Sequence, residues 1–264
     1  MQRTFETLEI EVHEPKITVV IMNRPDALNA MNTQMMMDLR DCFQEYYVDP
    51  GLANCIILTG SGERGFCSGA DLKERDGMSE ATWRKQHAIV EQLVRNIFAC
   101  PVPVIAAVNG AAFGGGLELA LATDFIYASE TAKLALPEVK RGIMPGAAGP
   151  QNLPRAAGVR RAKELVLTGD AFTAQEAFGW GIVNKVCAPD KLMEETIATA
   201  RKIAENAPIG VRQVKKSLDK ATELDRNSGY AFEIEAYNLT VDTEDRLEGV
   251  RAFNEKRKPV FKGR

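Results

Sequence analysis

Two glutamates in apolar settings, Glu118 and Glu138, have the type and position to move a proton. Glu118 sits two residues beyond Gly116 in the otherwise apolar run GGGLELALA, and Glu138 follows Pro137 at the end of Leu134-Ala-Leu136. Singly, each reads first as a solvated surface glutamate. Together, one carboxylate could accept a proton from water while the other gives one up. Two glycine loops could supply the complementary part: TGSGERGFCSGAD, Thr59 to Asp71, and Gly110 to Gly116. Glycine lets the chain turn and approach a ligand closely, leaving backbone N–H groups accessible. The second loop also opens a helical run, whose first N–H groups lack intrahelical partners and carry partial positive charge. Two N–H donors converging on one oxygen would make an oxyanion hole. Either loop alone reads as an ordinary turn.

Gly60-Ser-Gly62-Glu-Arg-Gly65 also fits G-x-G-x-x-G after the apolar run Cys55 to Leu58. A dinucleotide site needs a helix starting inside that motif and an acidic residue ending the next strand about 20 residues on. Here more loop comes next, and the region 20 residues on reads as helix. The fingerprint is a decoy. Other chemistries have little support. The two histidines, His13 and His87, are far apart, and no H-E-x-x-H, G-x-S-x-G or P-loop occurs. The five cysteines are scattered and never form C-x-x-C, so they read as reduced buried thiols with no zinc site. Carboxylates and backbone groups are left to carry any chemistry.

Periodicity indicates the scaffold around these residues. Leu8 to Val12 alternates as a strand, and Ile17 to Ile21 is a second one. Asn32 is placed to cap a helix with Met36, Leu39, Phe43 and Tyr46 or Tyr47 inside. Ser79 begins a long helix with Ile89, Val90, Leu93, Val94, Ile97 and Phe98 on one face. Pro101 and Pro103 end it, and Val104 to Val108 is a buried strand leading into the second glycine loop. The chain therefore twice runs strand, helix, buried strand, glycine loop. Phe125 to Tyr127, Lys133 to Leu136 and Ile182 to Val186 are further strands. Helices are expected over Val159 to Leu167, Thr173 to Phe178 and Pro189 to Asn206, with three more from Ile209 to Glu255. This is a repeated α/β core followed by a helical C-terminal region.

The 264 residues are 45% hydrophobic and 26% charged, as in an ordinary globular protein. A formal charge of −3 speaks against general binding to nucleic acid or anionic membranes. No apolar run approaches the ~20 residues that span a bilayer. The N-terminal MQRTFETLEIEV has no signal-peptide apolar region, which favours the bacterial cytoplasm or a mature organellar protein.

Seven pieces, in order and at compatible spacings, resemble the crotonase (enoyl-CoA hydratase/isomerase) superfamily. They are Gly65-Phe-Cys-Ser-Gly-Ala-Asp71, Pro103-Val-Ile-Ala-Ala-Val-Asn-Gly110, Phe113-Gly-Gly-Gly-Leu-Glu-Leu-Ala120, Leu136-Pro-Glu-Val139, Leu167-Thr-Gly169, Gly181-Ile-Val-Asn184 and Ala252-Phe-Asn-Glu-Lys-Arg257. The resemblance implies a spiral of ββα units over residues 1–200, holding the CoA thioester site. It also implies a helical region over 201–264 used to form a homotrimer or a dimer of trimers. An acyl-CoA would be the ligand, with no separate cofactor and no metal. The N–H groups of Ala70 and Gly115 would hold the thioester oxygen. Ser68, Asp71, Leu72 and Lys73 would lie along the CoA with Ala27 nearby, Gly114 would join the substrate-binding set, and Gly146 would approach the catalytic water with its N–H. By the same analogy Glu118 takes the water proton and Glu138 supplies the proton to C2.

Both glutamates are present, as in hydratases, so the expected reaction is addition of water across the C2=C3 bond of a 2-trans-enoyl-CoA. A Δ3,Δ2-enoyl-CoA isomerase is the alternative. Gly69 to Arg75 and Asp245 to Gly249 resemble methylglutaconyl-CoA hydratases, and Ala135 to Glu138 and Trp180 to Asn184 carnitinyl-CoA dehydratases. RNA binding, reported for some relatives, is opposed by the net charge. One stretch departs from the family pattern: Ala147-Ala-Gly-Pro-Gln-Asn-Leu153 carries unusual residues at Ala148, Pro150 and Asn152. It is expected to touch packing or pocket shape.

Overall fold

The computed structural model describes residues 4–264; residues 1–3, which open the stretch read as lacking a signal sequence, lie outside the described residues. Its centre is a six-stranded sheet in the order β1-β2-β3-β5-β7-β10. These strands are β1 (Leu8–His13), β2 (Ile17–Met22), β3 (Cys55–Gly60), β5 (Val104–Val108), β7 (Phe125–Ser129) and β10 (Lys185–Cys187). Only β1 runs antiparallel to its neighbour. A second sheet of four short strands lies in the order β4-β6-β8-β9: β4 (Gly65–Cys67), β6 (Ala111–Phe113), β8 (Lys133–Ala135) and β9 (Phe172–Thr173).

The continuous apolar sequence of β3 has a direct cause. Parallel strands covered on both faces cannot alternate with polar residues. Ile56 and Leu58 point into the main core with α1 (Thr33–Val48) and α3 (Glu80–Ala99). Cys55 and Ile57 face a second core closed by α7 (Leu192–Ala204) through Leu192, Ala200 and Ala204.

α1 and α3 begin where the sequence places them. Asn32 Oδ1 accepts the Met35 N–H at 3.0 Å, and Ser79 Oγ accepts the Thr82 N–H at 3.2 Å. Each such cap satisfies an otherwise unpaired donor. Of the expected α3 face, Val90, Leu93, Val94 and Ile97 are buried while Phe98 is exposed; in α1, Tyr46 is the buried tyrosine. The small elements between are α2 (Leu72–Arg75), α4 (Gly115–Leu121) and α6 (Ala174–Gly179).

Three boundaries differ from expectation. The helix expected from Val159 starts at Gly149 and runs to Thr168 as α5, broken at Gly158, where φ is 76° and ψ 153°. That break hides its first half from any helical periodicity. The late strand is Lys185–Cys187, with Ile182 and Val183 buried in the preceding turn. The helix expected from Pro189 begins at Leu192 and ends at Ala204. Strands β4 and β6 lie inside stretches that read as glycine loops, and β9 is too short for periodicity to mark. The C-terminal helices α8 (Pro208–Ala221), α9 (Arg226–Val241) and α10 (Glu244–Asn254) complete the chain.

Candidate active site

Strands β4, β6 and β8 run parallel, so their C-terminal ends share one edge of the small sheet. The three segments leaving those ends therefore converge: Ser68-Gly-Ala70 after β4, Gly114-Gly115 after β6, and Leu136-Pro-Glu138 after β8. Gly60, which closes β3, admits this arrangement, because a Cβ there would lie 2.4 Å from Phe66 O. No helix starts between Gly60 and Gly65, so the dinucleotide fingerprint is a turn between two strands.

Ala70 is fixed from one side only. Met31 N–H donates to Gly69 O at 2.8 Å and Asp71 N–H to Met31 O at 2.9 Å, a one-residue parallel bridge. In such a bridge the N–H of the intervening residue, Ala70, points away from the partner strand. Gly115 opens α4, so its N–H has no intrahelical acceptor. The two are neighbours: a Cβ on Gly115 would stand 4.0 Å from Ala70 N, and one on Gly69 would stand 3.3 Å from Gly115 N. Gly69 has φ of 94°, and its Cβ would meet Phe113 O at 2.7 Å, so only glycine fits there.

Glu118, one turn into α4, is 2% exposed. Its Oε1 accepts the N–H groups of Ala147 and Gly149, each at 2.8 Å. Its carboxyl is raised to about 7, chiefly by burial and in smaller part by the nearby Glu138 charge, against the lowering effect of the Gly149, Ala147 and Gly146 N–H groups. The single-residue reading of Glu118 as a surface group is thus corrected: α4 packs it inside. Glu138 starts a short 3-10 turn (Glu138–Arg141). Its Oε1 lies 2.8 Å from the place a Cβ on Gly114 would take. Its Oε2 is buried without a protein hydrogen-bond partner among the described residues. Desolvation also raises the Glu138 carboxyl, opposed by its own backbone N–H and by Arg141. Two raised carboxyls and two unpaired N–H groups therefore face one cleft of ≈ 760 Å³.

That cleft is also lined by Ser68, Leu72, Gly114 and Gly146. Ala27, Asp71 and Lys73 do not line it. Ala27 ends a 3-10 turn, and its carbonyl accepts Ser68 Oγ at 3.4 Å. Asp71 is turned into the protein, where it caps α2 through the Lys73 and Glu74 N–H groups and pairs with Arg24 at 3.0 Å. Lys73 is exposed on α2. Side chains that were not expected in the site complete the wall: Arg75, at the end of the stretch that resembles methylglutaconyl-CoA hydratases, and Trp83, His87, Arg141 and Met144, which no motif marks. The spacing of Trp83 and His87, i and i+4 on α3, was the available signal for two of them. Among the described residues no cluster of His, Cys, Asp and Glu has metal-binding geometry.

Residues 13–264 match the family model described as enoyl-CoA hydratase/isomerase. The chain belongs to that family. It is 39% identical to a crotonyl-CoA hydratase of Syntrophomonas wolfei over 257 residues, covering 97% of this chain and 98% of that protein. It is 43% identical to the mitochondrial enoyl-CoA hydratase domain-containing protein 2 of Homo sapiens over 253 residues, 94% of this chain and 86% of that one. A crystal structure of an enoyl-CoA hydratase from Bacillus anthracis superposes with a TM-score of 0.95 at 40% identity, covering 98% and 100% of the two chains. The crotonase architecture, with two mixed sheets and C-terminal helices, is thereby established for this family member. No helix among its described residues is long and apolar enough to cross a membrane.

Proposed function

We propose that this crotonase-family chain is a hydro-lyase that adds water to a 2-trans-enoyl-CoA, giving a 3-hydroxyacyl-CoA. The observation that carries the reading is the pair Glu118 and Glu138 on one cleft, beside the unpaired N–H groups of Ala70 and Gly115. The thioester oxygen accepts those two N–H groups. As water attacks C3, charge builds on that oxygen, and each preorganised donor contributes roughly 3 kcal/mol to stabilising it. Glu118 receives the water proton. Glu138, which lines the same cleft, delivers a proton to C2. The water oxygen ends on C3 and the net proton count of the pair is unchanged, so the pair must enter the step carrying one proton. The names of the relatives support the same class of reaction.

The test is hydration of crotonyl-CoA, followed as loss of the conjugated-thioester absorbance with identification of 3-hydroxybutyryl-CoA. Conversion of a 3-enoyl-CoA to its 2-isomer without any hydration would replace this reading with that of an isomerase.

A further inference from the structure

The peptide that aims the Ala70 N–H into the cleft is held by one hydrogen bond, from Met31 N–H to Gly69 O at 2.8 Å. Gly69 itself, with φ of 94°, adds little stiffness. Arg24 supplies restraint from outside. Its Nη1 donates both to Ala30 O and to Asp71 Oδ2, the latter at 3.0 Å. These two residues flank the bridge between Met31 and Ala70, Ala30 just before Met31 and Asp71 just after Ala70. One guanidinium nitrogen therefore ties together the two segments of the bridge. Neither Arg24 nor Asp71 lines the cleft.

Asp71 divides its carboxylate between two tasks. Oδ2 takes Arg24, while Oδ1 accepts the Lys73 and Glu74 N–H groups at the start of α2. Against the raising effect of desolvation, these partners hold its carboxyl below the usual value, so the pair is ionised at neutral pH. Arg24 is anchored in turn. Its N–H donates to Asn29 Oδ1 at 2.9 Å, and its carbonyl accepts the Asn29 N–H at 2.9 Å. Asn29 is fully buried, and its Nδ2 donates to Gly65 O at 2.8 Å. Gly65 begins β4, the strand that leads into Ser68-Gly-Ala70. The guanidinium thus stands on the strand whose exit it clamps.

We infer that Arg24 is a positioning residue for the oxyanion hole, holding the Ala70 N–H on line with the thioester oxygen through Asp71 and Ala30. It touches no reacting atom in this role. The inference rests on the oxyanion reading of Ala70 and Gly115, not on hydration. A misaimed donor loses most where the oxygen carries most charge, so the effect falls on the enolate rather than on the bound ground state. A contact between Arg24 and a CoA phosphate would instead act on binding alone, and the experiment separates the two.

Acetoacetyl-CoA reports on the oxyanion hole, because its enolate shares charge with the thioester oxygen and has its own ultraviolet band. Binding to the parent protein should lower the pH at which it ionises. In Arg24→Met that ionisation should move up by about one pH unit or more, and kcat for crotonyl-CoA should fall about 10- to 100-fold. Affinity for CoA itself, which has no thioester, should stay at the parent value. Arg24→Lys keeps the charge but not the guanidinium geometry, and should lie between the two. Asp71→Asn keeps an oxygen for the α2 cap and should reproduce the Arg24→Met shift, with the double variant no worse than either. Should Arg24→Met fail to fold, Arg24→Lys and Asp71→Asn carry the same comparison. Equal weakening of CoA and acetoacetyl-CoA would assign Arg24 to the phosphates and overturn the inference. A parent-like enolate in the variants, against a parent that does shift the ionisation, sinks this inference alone. A parent that binds acetoacetyl-CoA without shifting it sinks the oxyanion reading as well. The expected shifts in a protein that hydrates nothing would sustain the inference and sink the hydratase reading.

Discussion

Glu118 Oε1 accepts the Gly149 N–H at 2.8 Å, which ties the carboxylate in α4 to the first residue of α5. This explains how the segment that departs from the family pattern remains compatible with the site. Ala148 adopts φ of 70° and forms the N-cap of α5, with Pro150 in its first turn, where a missing N–H costs nothing. The two residues that actually touch Glu118, Ala147 and Gly149, present only backbone to it. The unusual side chains of Ala148, Pro150 and Asn152 thus leave that contact alone. The buried Asn152 Nδ2 has no protein hydrogen-bond partner among the described residues, and nothing in the structure explains it.

Gly149 gives the first prediction. A Cβ there would lie 2.8 Å from Glu118 Oε1, 3.0 Å from Glu118 Cγ and 3.1 Å from Leu136 Cδ1. Gly149→Ala must therefore displace the carboxylate, and kcat for crotonyl-CoA should fall roughly 10- to 100-fold, the usual consequence of misplacing a reacting group. Circular dichroism should report an intact fold. Parent-level kcat would show that the Glu118 position is not critical.

The glutamates themselves give the second. Glu118→Gln and Glu138→Gln preserve size but remove the proton-transfer group, and each should lower kcat by roughly 10²–10⁴. Binding of a saturated acyl-CoA should change little. The double variant should be far from additive, because the two groups act as one unit. If Glu118→Gln hydrates at the parent rate while Glu138→Gln is inactive, one carboxylate suffices and water activation by Glu118 is wrong.

How much of this was legible depended on how local the signals were. α1 and α3 announce themselves through a capping residue and an apolar face, both written within a few turns of chain. β4 and β6 do not, because three-residue strands are defined by pairing, here Gly65 with Ala111, across 46 positions. The family motifs brought Ala70, Gly115, Glu118 and Glu138 to notice, yet the burial of Glu118 depends on the Ala147 and Gly149 N–H groups, which no periodicity reveals. Arg75 closes a stretch that resembles methylglutaconyl-CoA hydratases, but its contacts were not legible for the same reason. They come from Trp83 and Gln86, which reach it across the turn between α2 and α3.

Assembly is the third prediction. Val214, Leu218, Tyr230, Ile234, Tyr237 and Leu239 on α8 and α9 are all exposed, with Tyr237 at 64%. So many large apolar groups on neighbouring helices mark an interaction surface. We expect residues 201–264 to form a homotrimer or a dimer of trimers through it, and light scattering should give three or six times 29.0 kDa at micromolar concentration. Tyr237→Asp should shift the population towards smaller species. A stable 29.0 kDa monomer in the parent would refute the assembly.

The last prediction concerns pH. Burial chiefly, with a smaller contribution from the Glu138 charge, raises Glu118 from 4.5 to about 7. Because the two carboxyls interact, their titration belongs to the pair, and hydration needs the singly protonated form. For the free enzyme, kcat/KM should therefore fall as pH rises through about 7, where the pair loses its last proton, and fall again on the acid side, where both carboxyls hold one. Stability tracks the same group. Its folded pKa lies above its unfolded value, so the favourable contribution is complete below pH 4.5 and is lost as pH rises through 7. The shift corresponds to about 3 kcal/mol at most. Glu118→Gln is neutral throughout, so its urea midpoint should decline less than the parent's between pH 4.5 and 8. In the same variant, removing the Glu118 charge should bring the residual alkaline limb of kcat/KM to lower pH, because Glu138 then titrates alone. Identical pH dependence of stability in parent and variant would mean that Glu118 ionises in the fold as it does in water.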